Sequence, residues 1–134
     1  MDKVRILLAD DHLRVLDICA SILEPAFEIV GREGNGRSMV EAAAKLRPDV
    51  IVTDISMPIL NGIDAANMLR DSGSTSRIVF LTVHRDPDFI KACFAAGALA
   101  YVSKPRVATD LLPAIQEALV GHSFVSPMPS DTTG

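Results

Sequence analysis

A short run, Val50-Ile51-Val52, leads within two residues to a carboxylate, Asp54. The run is apolar and β-branched, the pattern of a strand covered on both faces, as in a parallel sheet. A carboxylate at the end of such a strand is costly to bury unless another charge compensates it. Pro58 and Asn61-Gly62 then impose a tight, irregular turn before the next helical pattern. An ordinary strand-to-helix loop has the same look, so the other strand ends decide what Asp54 is for.

The chain repeats this strand-then-helix pattern. Val4 to Ala9, interrupted only by Arg5, ends at Asp10-Asp11, which can also cap the following helix. That helix runs from about His12 to Glu24 and stops before Pro25. Val15, Ile18, Cys19 and Ile22 line a core-facing stripe, and Leu13, Leu16, Ala20 and Leu23 make a second one. An apolar arc this wide exceeds the roughly 100° that a surface helix needs, so something besides the sheet is expected to cover it.

Phe27 to Glu33 is a more mixed strand, suited to a sheet edge. Gly34-Asn35-Gly36 is turn chemistry, Ser38 and Glu41 offer a capping box, and the helix ends at Arg47 before Pro48. A third helix spans about Gly62 to Asp71, with Ile63, Ala66 and Leu69 inward. Arg77 to Val83 is a buried strand closing on Thr82; Asp86-Pro87 opens a helix to about Ala96, and Gly97 closes it. Leu99 to Ser103 is the fifth strand, ending at Lys104-Pro105. The last helix starts near Thr109 or Asp110, with Pro113 in its first turn and Leu111, Leu112, Ile115, Ala118 and Leu119 inward. Residues 1–121 form one domain, and 122–134 read as a linker or flexible tail.

Five strands alternating with five helices predict an α/β fold: a flavodoxin-like, doubly wound parallel sheet of order 2-1-3-4-5, helices on both faces. At 134 residues, 49% apolar and 22% charged, the chain can bury a real core. A net charge of −4 without a basic cluster argues against nucleic acid binding by these residues. No apolar run approaches a membrane span and no signal-peptide pattern opens the chain, so a cytoplasmic location is expected. Cys19 and Cys93 lie in helical patterns without metal-type spacing and read as buried free thiols.

In such a sheet, ligands bind at the carboxyl ends of the strands. This chain delivers Asp10 and Asp11, Asp54, Thr82 and Lys104 there. Converging carboxylates repel one another and call for a cation; hard oxygen donors suit Mg²⁺. Lys104 adds a fixed positive charge and Thr82 a hydroxyl. The set fits transfer of a phosphoryl group onto a carboxylate, where positioning and charge neutralisation carry the catalysis.

Asp10-Asp11, Asp54 with Met57-Pro58 and Asn61-Gly62, Thr82, Tyr101 and Lys104-Pro105 together resemble the receiver domain of two-component response regulators, over about residues 4 to 121. The resemblance implies that Asp54 is the phosphoacceptor, charged by the phosphohistidine of a sensor histidine kinase. It implies that Asp11, Asp54 and the backbone carbonyl of Ser56 ligate Mg²⁺, with Asp10 helping through water. Lys104 would pair with the phosphoryl oxygens, across a cis Lys104-Pro105 peptide. Thr82 and Tyr101 would switch: the Thr82 hydroxyl moves to the phosphate and Tyr101 turns inward. Such a domain is not an enzyme beyond its own phosphorylation and autodephosphorylation. His12 would lie over the site mouth, and Ser56 and His84 would tune the rate of phosphate loss. Val83 departs from the small residue usual after the switch threonine, which would narrow access for the phosphodonor.

Tyr101 and the Gly121 to Pro127 run resemble regulators of the NarL/FixJ (LuxR-type) family, which join a receiver to a DNA-binding helix-turn-helix domain. No such domain is present here, so the chain is expected to be either a fragment of a transcription regulator or a stand-alone receiver. The wide face of the first helix, with Leu13, Leu16 and Leu23, then offers a homodimer surface beside the last helix. Rival readings stay open. A haloacid dehalogenase-type phosphatase would need an Asp where Ser56 stands, and a flavin carrier a Ser/Thr/Gly loop where Asp10-Asp11-His12 stands. A receiver acting only as a docking module is the more serious rival.

Overall fold

The computed structural model describes residues 3–127. β1 (Arg5–Ala9), β2 (Glu28–Glu33), β3 (Val50–Thr53), β4 (Arg77–Thr82), β5 (Ala98–Ser103) and β6 (Phe124–Val125) form one sheet of order β2-β1-β3-β4-β5-β6. Every neighbouring pair is parallel. α1 (Leu13–Leu23), α2 (Gly36–Leu46), α3 (Gly62–Asp71), α4 (Pro87–Ala95) and α5 (Val107–Leu119) cover its two faces. The doubly wound α/β fold and the order of the first five strands are as expected.

The period of two along each strand divides the core. Ile6, Leu8, Val50, Val52, Val79, Leu81, Ala100 and Val102 pack under α1 and α5. Leu7, Ala9, Ile51, Ile78, Phe80 and Tyr101 point the other way, under α2, α3 and α4. β3 is buried at all four positions, whereas β2 has no fully buried residue and forms an edge.

The sixth strand corrects the expected five. Phe124 and Val125 pair with Ala100 and Tyr101 of β5, inside the stretch assigned to a linker or tail. Two residues are too few for periodicity, so only pairing with β5 reveals this strand. Residues 128–134 of that stretch lie outside the described residues.

The first helix is rotated from its expected setting. Leu16, Cys19, Ala20 and Leu23 are buried, while Ile18 is 41% exposed and Leu13 77%. Three of the buried residues come from the stripe read as spare, which removes Leu16 and Leu23 from any dimer surface. Asp10 and Asp11 do not cap α1: its N-cap is His12, without a side-chain capping bond. Asp10 Oδ1 instead accepts from the His12 amide at 2.9 Å.

α2 begins at Gly36, two residues before the expected capping box, and Asn35 caps it by accepting from the Ser38 amide. α5 also begins early. A 3-10 turn over Lys104–Arg106 runs straight into it, so Pro113 falls in the helix interior rather than the first turn. No cis peptide occurs among the described residues, so Lys104-Pro105 is trans, contrary to expectation. Asp86 and Pro87 open α4 as anticipated, with the Asp86 side chain accepting from the Asp88 amide.

Candidate functional site

Parallel strands place all their carboxyl ends along one edge, and there the expected residues meet. Asp10 and Asp54, at the ends of β1 and β3, are 2% and 5% exposed. Both are compensated by Lys104, whose Nζ lies 2.9 Å from Asp54 Oδ2 and 2.8 Å from Asp10 Oδ2. Burial alone would lower the Lys104 pKa, but its close ion-pair contacts with Asp10 and Asp54 raise it above the ordinary lysine value. The lysine therefore stays charged throughout the neutral range.

The other Asp54 oxygen, Oδ1, accepts from the Ile55 amide at 2.7 Å. The turn beyond is shaped for this: Gly62 donates to the Ile55 carbonyl at 2.7 Å, and Thr53 Oγ1 donates to the Asp54 carbonyl at 2.9 Å. A Cβ on Gly62 would stand 1.9 Å from the Asp54 carbonyl oxygen, so no other residue fits. The Asn61 side chain caps α3 by accepting from the Asp64 amide. Beneath the carboxylates the floor is packed. The space among Leu8, Val15, Leu16, Cys19, Val52 and Leu81 amounts to about 10 Å³, at most one water. Burial, with the Asp10 charge adding, pushes the Cys19 thiol up to about 12, so it stays an inert part of that floor.

Asp10, Asp11, His12 and Asp54 each bring a ligand atom within 4.8 Å of the others. Asp10 Oδ2, though beside the Lys104 ammonium, makes no aligned hydrogen bond to any described residue. Buried oxygen donors with spare acceptor capacity, beside the more exposed Asp11, fit a hard divalent cation that keeps part of its water shell. His12 was not expected in this group. Its Nδ1 lies 3.1 Å from Asp10 Oδ1 and 3.2 Å from Asp11 Oδ1, and it is largely exposed at the mouth. Its position directly after the acidic pair was the only available signal.

Across the mouth, His84 contacts three expected site residues. Its Nε2 lies 2.8 Å from Ser56 Oγ, its amide donates to Thr82 Oγ1 at 3.2 Å, and its carbonyl accepts from the Tyr101 hydroxyl. Its ring leans on Phe89 of α4, centroids 4.5 Å apart. Thr82 is fully buried and Tyr101 1% exposed, so the Tyr101 ring already points inward. Burial pushes the Tyr101 hydroxyl up to about 12, with Cys93, Asp54 and Asp86 adding. Val83 is 63% exposed at the same edge. A groove of about 560 Å³ lies at the opposite edge, between the ends of α2 and α3. There the Ser72 and Ser76 hydroxyls are bonded inward to the Leu69 and Pro48 carbonyls, and no carboxylate lines it.

Residues 6–116 match the family model described as the response regulator receiver domain. The chain belongs to that family. Among curated relatives, the transcriptional regulatory protein PdtaR of Mycobacterium tuberculosis is 38% identical over 116 residues, covering 86% of this chain and 56% of the relative. LiaR of Bacillus subtilis is 36% identical (89% and 57% covered), and the nitrate/nitrite response regulator NarL of Escherichia coli 32% (93% and 59%). The receiver domain thus spans little more than half the length of these relatives. Among solved structures, a LuxR-family response regulator from Aurantimonas superposes with a TM-score of 0.88 at 30% identity, covering 94% of this chain and 91% of that one. The isolated receiver domain of RcsB from Salmonella enterica, solved with phosphomimetic beryllofluoride, gives 0.85 at 26%, with 95% of each chain covered. No helix among the described residues is long and apolar enough to cross a membrane.

Proposed function

We propose that Asp54 accepts a phosphoryl group from the phosphohistidine of a sensor histidine kinase. The observation that carries this reading is the buried Asp54 carboxylate held between Lys104 and the Ile55 amide, beside the Asp10-Asp11 pair. An Asp54 oxygen attacks phosphorus; the oxygen–phosphorus bond forms as the nitrogen–phosphorus bond breaks, and the electron pair returns to the imidazole, which takes up a proton. Lys104 offsets the charge of Asp54 before transfer and follows the phosphoryl oxygens afterwards. Asp11, Asp54 and the Ser56 carbonyl, with Asp10 through water, would hold Mg²⁺, which when bound supplies neutralising charge to the phosphoryl oxygens. The packed floor leaves the mouth as the route for the phosphodonor.

Phosphorylation then acts through Thr82 and Tyr101. The Thr82 hydroxyl is drawn toward the new acceptor oxygens, and this shifts the His84 backbone that holds the Tyr101 hydroxyl. The surface of α4 and β5 changes in consequence. PdtaR and LiaR are named transcriptional regulatory proteins, which supports an output on transcription; we assign that output to a DNA-binding domain beyond these residues. DNA contact would come only through that domain, and the protein would work in the cytoplasm. Beyond its own phosphorylation and dephosphorylation the domain has no enzymatic role. A homodimer through α1 and α5 would use the exposed Leu13 and Ile18 of α1 and Val120 just past α5.

Incubation with acetyl phosphate and Mg²⁺, followed by intact-mass measurement, tests the reading. One phosphoryl adduct, lost in Asp54→Asn, is expected. Absence of an adduct in the unaltered chain would favour a docking module.

A further inference from the structure

Beyond the phosphoacceptor site, a second buried polar network joins β5, α5 and the sixth strand. Asp110, 6% exposed, takes two bonds from Arg106, at 2.7 and 3.3 Å, and one from Thr109 Oγ1 at 3.2 Å. Its Oδ2 also accepts from Ser126 Oγ at 2.7 Å. The same Ser126 hydroxyl accepts from the Ser103 amide at 3.1 Å, and the Ser126 amide donates to the Tyr101 carbonyl at 2.9 Å. Ser126 is 3% exposed although both its neighbours face solvent. A hydroxyl used once as donor and once as acceptor, in a buried position, is a specific fastening.

The fastening sits directly against the site. Ser103, held by Ser126, precedes Lys104; Tyr101, whose carbonyl is held by the Ser126 amide, carries the inward ring. Arg106, two residues past Lys104, is clamped to the same Asp110 that holds Ser126. We infer that Asp110 and Ser126 form a latch that docks residues 124–126 on β5 while Lys104 bridges Asp10 and Asp54, and that phosphorylation of Asp54 loosens it.

The inference rests on the phosphoacceptor reading. Lys104 Nζ stands 2.9 Å from Asp54 Oδ2, so a phosphoryl group on that oxygen takes up its place, and the ammonium moves outward to follow the phosphoryl oxygens. The displacement pulls on the peptide between Ser103 and Lys104, whose neighbouring amide is one end of the latch. Phosphorylation would then change the tether of the chain beyond residue 126, and coupling between the two sites must be reciprocal.

Amide hydrogen exchange, read by NMR on the unaltered chain with and without beryllofluoride and Mg²⁺, tests this. Loading is expected to speed exchange at Ser103 and Ser126 by roughly five- to tenfold, the equivalent of one weakened buried hydrogen bond. Ser126→Ala should exchange fast at Ser103 in both conditions and, by reciprocity, bind beryllofluoride more tightly by a similar factor. A merely structural clip would move neither the loading dependence nor the affinity. Equal exchange in the two conditions, or unchanged affinity in Ser126→Ala, would overturn the latch. Failure to form the acetyl phosphate adduct would instead overturn the phosphoacceptor reading, and the latch's phosphorylation dependence with it.

Discussion

Gly62 approaches the Asp54 backbone so closely that a single added carbon would stand 1.9 Å from the Asp54 carbonyl oxygen. The start of α3 and the end of β3 are therefore one unit, and the direction of the Asp54 side chain depends on it. Gly62→Ala is expected to cost about 1–3 kcal/mol, the range for forcing atoms into a filled space, and to suppress adduct formation. Gly34→Ala, where a Cβ would meet nothing within 4 Å, serves as the control and should change stability by under about 0.5 kcal/mol. Urea unfolding and intact-mass measurement check both.

Lys104→Met removes the charge shared by Asp10 and Asp54 and leaves two buried carboxylates facing each other. Breaking a buried pair in this way costs about 3–5 kcal/mol. The cost should fall when Mg²⁺ is added, because the cation then supplies the missing charge. The variant is expected to show a larger Mg²⁺-dependent rise in Tm than the unaltered chain, together with slower phosphorylation.

The Arg106 guanidinium holds the Asp110 carboxyl below the ordinary carboxylate value; burial opposes this, and the Ser126 and Thr109 hydroxyls add to the lowering. A lowered folded-state pKa means that the stabilisation is present above the unfolded value, near 3.8, and is lost as pH falls through the folded one. Asp110→Asn should therefore flatten the acid limb of the stability profile. Lys104 has the opposite sign: its contribution is full below 10.5 and lost as pH rises through its raised folded value. Lys104→Met should flatten the alkaline limb. Urea midpoints measured across pH separate the two.

Tyr101→Phe keeps the buried ring and removes the hydroxyl that the His84 carbonyl accepts. The expected loss is about 1 kcal/mol, the worth of one such bond. His84→Ala keeps that backbone carbonyl and removes instead the Ser56 contact that spans the mouth, which opens the site to water. It should shorten the phosphoryl lifetime several-fold, read as decay of the adduct mass, whereas Tyr101→Phe should leave that lifetime close to unchanged.

The strand ends were legible because each buried run is apolar and each stops on a polar residue, so Asp10, Asp54, Thr82 and Lys104 could be placed along one edge. The setting of α1 was not, because its apolar arc offers two stripes and only contact with α5 and the sheet selects Leu16, Cys19, Ala20 and Leu23. The sixth strand pairs with residues 24 positions back and the Asp110–Ser126 bond spans 16, so neither carries a local pattern. His12 joins the acidic group through the path of the backbone after β1, which residue identity alone does not report.

Along β5, Tyr101 faces the layer of α2, α3 and α4, while Ala100 and Val102 face that of α1 and α5. If Tyr101 is the moving part, the two layers answer to different selections. A substitution at Leu23 or Phe27, in the layer that Tyr101 does not face and in neither the Asp110–Ser126 bond nor α5, is expected to shift the energy of both signalling states together and leave the gap between them as it was. A substitution beneath Tyr101 alters the gap itself. Both sides of the sheet hold the domain together, and the side beneath Tyr101 also sets how readily it listens.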